Sequence, residues 1–147
     1  MKTWLGFTRR FGIVLGVGLA LSACDDDPVT PPAEVVGVYE LTAINGQPLP
    51  FLYFQDSELA IERIEGALLL RENGDFRLGF VSRVIPVNDE PRTGLNETIG
   101  DYRVNGTRIT FSPRNESGFS GDISGEILTI TQVESRGTIT STFVKGG

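Results

Sequence analysis

Leu68-Leu69-Leu70-Arg71-Glu72-Asn73-Gly74-Asp75-Phe76-Arg77-Leu78 sets two apolar runs on either side of a charged turn that contains a glycine. Two registers compete for it. A two-residue Asn73-Gly74 turn opposes Glu72 to Asp75 and Arg71 to Phe76, which is a poor set of cross-strand neighbours. A three-residue loop with Gly74 in the left-handed conformation instead pairs Arg71 with Asp75, Leu70 with Phe76 and Leu68 with Leu78. This second register sends Leu68, Leu70, Phe76, Leu78 and Phe80 to one side. A slip of one residue turns the whole set to water. The stretch is therefore read as a β-hairpin with one face built for a core.

Two further turns repeat the pattern. Val104-Asn105-Gly106-Thr107 suits a type I′ turn at Asn105-Gly106, which places Tyr102 beside Ile109 and puts Val104 and Phe111 on the same face. The other face then sets Arg103 across from Arg108. That pair reads either as a small anion-attracting spot or as two side chains extended into solvent among carboxylates. Gly125-Glu126 suits a type II′ turn, aligns Ile123 with Leu128, and brings Phe119 and Ile130 to the inner face. The last strand, Thr138 to Lys145, adds Ile139 and Phe143. The first, Val35 to Ile44, puts Tyr39, Leu41 and Ala43 on one face, before Asn45-Gly46 turns the chain. Pro48 and Pro50 bracket an irregular step before Phe51 to Phe54. Ile85 to Thr98, poor in apolar residues and holding two prolines and a glycine, reads as the longest loop.

No window shows a helical period. Eight to ten short strands in up-and-down order must protect their edges, and closure into an antiparallel β-barrel does so most completely. A two-sheet β-sandwich is the alternative.

Ahead of these strands, Lys2, Arg9 and Arg10 precede an apolar run from Phe11 to Leu21 that has the length of a signal-peptide core and is short for a bilayer span. Leu21-Ser22-Ala23-Cys24 follows. These four residues resemble the lipobox of bacterial lipoproteins, which implies cleavage before Cys24, a diacylglyceryl group on its sulfur and acylation of the new amino terminus. A retained transmembrane anchor is the competing reading. The expected organisation is a signal peptide over residues 1–23, a lipidated cysteine and Asp/Pro-rich tether over 24–34, and the barrel over 35–147. The tether, DDDPVTPPAE, is expected to be extended and semi-stiff. Asp25, directly after the cysteine, matches a retention signal for the inner membrane in some enteric bacteria.

Of 13 Lys+Arg and 19 Asp+Glu, three basic residues and no acid precede Cys24, so ten face nineteen in the remainder, a formal charge of −9. Such a chain is not built for nucleic-acid phosphates or for a polybasic membrane contact. With Cys24 the only cysteine and no histidine anywhere, disulfides, Cys/His metal sites and histidine-based catalysis are excluded. The nearest acidic pairs, Glu62 with Glu65 and Asp89 with Glu90, read as solvated surface, and no enzyme activity is expected. No cofactor or metal is expected apart from the covalent lipid.

Gly37-Val38-Tyr39, followed by Leu41-Thr42-x-Ile44-Asn45-Gly46-Gln47-Pro48-Leu49-Pro50 and by turn glycines up to Phe143-Val144-Lys145, resembles the small lipocalin-like (calycin-type) domains of bacterial lipoproteins. In lipocalins a Gly-x-Trp lays its ring across the closed end of the barrel under a basic residue. Here Tyr39 stands for the tryptophan, with Lys145 or Arg136 as the cover. The resemblance implies a small hydrophobic ligand in a lumen lined by Tyr39, Leu41, Leu68, Leu70, Phe76, Leu78, Phe80, Tyr102, Ile109, Phe111, Phe119, Ile123, Leu128, Ile130 and Phe143. Eight-stranded barrels, however, have an interior that their own side chains can fill. The alternative is thus a plugged, non-catalytic module displayed from the envelope membrane, facing the periplasm or exterior and contacting an envelope protein.

Overall fold

The alternation after Val35 is realised as ten antiparallel strands in the computed structural model, which describes residues 30–147. They are β1 (Gly37–Ile44), β2 (Gln47–Pro48), β3 (Phe51–Gln55), β4 (Leu59–Leu70), β5 (Asp75–Pro86), β6 (Arg92–Asn105), β7 (Arg108–Pro113), β8 (Phe119–Ser124), β9 (Ile127–Glu134) and β10 (Gly137–Lys145). Strands β4 to β10 are neighbours in sequence order, β10 pairs with β1, and β1 pairs with β4. Eight strands therefore close a ring, and the fold is a barrel rather than a sandwich. Two short strands supplement it: β2 extends the sheet beside Ala43 and Ile44, and β3 runs along the start of β4.

The β4–β5 hairpin has the expected register. Leu70 pairs with Phe76 and Leu68 with Leu78, Gly74 has φ +84°, and the Arg71 amide donates to the Asp75 carbonyl at 3.0 Å. The β8–β9 hairpin aligns Ile123 with Leu128, also as expected. The β6–β7 hairpin differs. Its two-residue turn is Gly106-Thr107, and the pairs are Asn105 with Arg108, Val104 with Ile109, Arg103 with Thr110 and Tyr102 with Phe111. Moving the turn by one residue moves the pairing by two, so every side chain keeps its face. The physical gain is that Arg103 no longer opposes Arg108, a like-charge pair that costs stability. Arg108 instead donates to the Ser120 hydroxyl at 2.6 Å and lies 3.7 Å from an Asp122 carboxylate oxygen. The Asn-Gly turn with positive φ at both positions occurs at Asn45-Gly46, between β1 and β2.

Two other expectations are corrected. A bulge between Leu41 and Ala43 reverses the end of β1, so that Ile44 is buried while Ala43 is half-buried. Residues 85–98 are mostly strand, because β5 continues to Pro86 and β6 begins at Arg92. These parts of β5 and β6 outrun the six-residue β7 and β8, and Arg92 to Glu97 are exposed. Water on their faces removes the need for apolar alternation, and with it the strand signal.

The core occupies one end of the barrel. Tyr39, Leu68, Leu70, Ile109, Phe111, Leu128 and Phe143 are fully buried, and each such side chain is worth roughly 1.5–3 kcal/mol of transfer free energy. The ring of Phe111 stands edge-on to Phe76 at 5.0 Å and stacks on Phe119 at 4.7 Å.

Candidate functional site

The antiparallel order separates two ends. The chain enters β1 and leaves β10 at the end that carries the β4–β5, β6–β7 and β8–β9 turns; the β3–β4, β5–β6, β7–β8 and β9–β10 connections lie at the other. The first end is closed. Pro31 and Val35 are buried there, and the turn between them is fixed by the Val35 amide donating to the Pro32 carbonyl at 2.9 Å. The Tyr39 hydroxyl donates to the Val35 carbonyl at 2.8 Å. Lys145 passes over the Tyr39 ring, its Nζ 5.9 Å from the centroid, and donates to the Glu34 carbonyl at 2.6 Å. Its side chain runs through the space that a Cβ on Gly37 would take, 2.7 Å away. Of the two cover candidates, Lys145 has the position; Arg136 lies over Phe54, 3.7 Å from its centroid, beside the β9–β10 turn. Pro31, read as tether from the sequence, is thus packed against the barrel, and the exposed Glu34 is held to it through its carbonyl.

All fifteen residues of the proposed lining lie on inward-facing positions. Thirteen are buried, and Phe119 and Ile123 are half-buried against them. Burial raises the pKa of the Tyr39 hydroxyl and, with the neighbouring Tyr39 as a second cause, pushes that of Tyr102 up to about 12. Tyr102 donates to the Arg71 carbonyl at 2.8 Å. The rings of Phe76, Phe111 and Phe119 pack on one another inside, while a recess of about 460 Å³ lies at the surface of this end between Val35, Ile123 and the β6–β7 and β8–β9 turns.

The open end is different in kind. Arg63 projects into it from β4, with its guanidinium carbon 4.3 Å from the centroid of Tyr53 and 4.1 Å from that of Phe80. Two aromatic faces thus clamp the cation. One Nη lies 3.9 Å from a Glu134 oxygen, whose carboxylate also accepts the Tyr53 hydroxyl. Burial first, and then that hydrogen bond and the charge of Glu134, raise the pKa of Tyr53. The other Nη of Arg63 is buried without a hydrogen-bond partner among the described residues. Beside the Arg63 side chain a recess of about 230 Å³ is lined by Asn96, Glu97, Thr98, Glu116 and Gln132 as well as by the Tyr53, Arg63 and Glu134 cluster. Asn96 and Thr98 pair with Phe80 and Leu78, so they share the inward face.

Sequence reasoning missed Arg63. Strict alternation back from Leu68 puts Ile64 inward and Arg63 outward, but a bulge between Arg63 and Glu65 reverses this. The signal available was one arginine amid apolar residues in Leu59-Ala60-Ile61-Glu62-Arg63-Ile64. Of the acidic pairs read as solvated surface, Glu62 accepts from Arg83 and Asp89 accepts from Arg92. Cys24, the apolar leader and the first five tether residues lie outside the described residues. The chain matches no protein-family model and no curated protein.

Proposed function

We propose that this chain is a bacterial envelope lipoprotein, anchored through acylated Cys24, whose lipocalin-like barrel is a non-catalytic binding and display module with a filled apolar interior. The observation that carries the filled interior is the mutual packing of its inward set, above all Phe76, Phe111 and Phe119. A void among such side chains forfeits dispersion contacts, and this cluster spends its surface on itself. Support for the anchor comes from the lipobox resemblance at Leu21 to Cys24. Because the tether joins the closed end, anchoring there leaves the open end free to turn away from the bilayer.

Native mass spectrometry of the full chain in detergent, with a thermal-shift panel of fatty acids and isoprenoids, tests the filled interior. The expected outcome is the covalent lipid alone and no shift. A fatty acid retained at one equivalent overturns it and restores the apolar-ligand reading. Crosslinking in native membranes then tests for an envelope partner at the open end.

A further inference from the structure

We propose that the recess beside Arg63 is a binding site for a small zwitterionic monocarboxylate of the amino-acid class. A guanidinium carries five N–H donors and stays charged, and one of the two terminal nitrogens of Arg63 is buried without a partner among the described residues. The other only approaches Glu134, at 3.9 Å. A buried charged donor left in this way costs free energy that a charge-assisted hydrogen bond recovers. The clamp between Tyr53 and Phe80 fixes the plane of the guanidinium in advance, so little side-chain entropy remains to be lost on binding.

Charge selects the class. Glu134 only approaches Arg63, Glu97 borders the recess while lying 3.6 Å from Arg77, and Glu116 has no ion pair among the described residues, so carboxylates outnumber the one cation around the recess. Among the described residues Glu116 accepts only a long contact of 3.5 Å from the Thr98 hydroxyl. A dianion such as phosphate meets repulsion from Glu116 and Glu134 together. One carboxylate at Arg63, joined to an ammonium that faces Glu116, satisfies both poles. The side-chain amides of Asn96 and Gln132 offer donors and acceptors between them. The recess has the volume of about seven or eight waters at liquid density, enough for an amino acid and too little for a lipid.

This site is independent of the anchor and of the filled apolar end. The test is isothermal titration of the full chain in detergent with glycine, L-serine and L-glutamine, against n-butyrate and inorganic phosphate. Expected is saturable one-to-one binding of at least one amino acid, with butyrate and phosphate weaker by about tenfold or more. Arg63→Gln lowers affinity by about tenfold or more, and Asn96→Ala, at an exposed position, by about two- to fivefold. Absence of saturation by all three amino acids at about ten millimolar overturns the proposal. So does equal binding of butyrate or phosphate, or undiminished binding by folded Arg63→Gln. Should Arg63→Gln not fold, unchanged affinity in both Asn96→Ala and Gln132→Leu overturns it equally.

Discussion

Gly100 shows how closely one position can be constrained. A Cβ there would stand 2.2 Å from the Ser112 carbonyl oxygen and 2.9 Å from the ring of Phe76, so backbone on one side and core on the other leave no room. Gly100→Ala is expected to lower stability by about 1–3 kcal/mol, read from the midpoint of chemical denaturation. The tyrosines add a pH dependence. Tyr102, at about 12, and Tyr39 and Tyr53, also raised, hold their protons more tightly folded than unfolded. Below pH 10 both states are protonated and this contribution is complete; between about 10 and 12 the unfolded chain loses protons first, so stability falls as pH rises. Thermal melts across that interval, followed with the ultraviolet absorbance of tyrosinate, check the sign. A melting temperature that held level through it would contradict the assignment.

Among the elements, the β6–β7 turn offers a direct test of register. Gly106 has φ +60° and stands first of the two turn residues, whereas Asn105 is the last residue of β6. Gly106→Ala is expected to cost about 1–2 kcal/mol, and Asn105→Ala to stay within about 0.5 kcal/mol. Equal losses at both positions would instead favour the type I′ turn. The contrast explains what was legible. Where a turn separated a dense apolar alternation, as from Leu68 to Leu78, the faces and the register followed from pairing chemistry. At Asn105-Gly106 the faces followed but the register did not, because two turns compatible with the same parity differ only in which polar side chains meet. Bulges were not legible at all. An inserted residue such as Ile64 leaves no compositional mark, yet it decides that Arg63 and not its neighbour enters the barrel. The candidate site therefore escaped a reading that recovered its apolar neighbours.

The whole molecule divides its labour along the barrel axis. One end carries the aromatic and aliphatic core under Tyr39 and Lys145, and the other carries Arg63, Glu134 and the recess between β6 and β9. The proposed attachment to a membrane belongs to this scale, and Cys24→Ser is expected to abolish lipid incorporation and leave uncleaved precursor, detected by labelled fatty acid and by a shift in mass. Normal processing and membrane retention of that variant would remove the anchor from the proposal. Lys145 reaching back to the Glu34 carbonyl has a further consequence, which is mechanical. The anchor proposed at Cys24 would pull on its cargo through the first folded residues, where the turn from Pro32 to Val35 is buckled to the last strand. Behind that buckle β1 is hydrogen-bonded to β10 on one side and to β4 on the other. Force applied along such a tether would have to shear both rows of bonds at once rather than peel one open, so β1 is held against it on both edges.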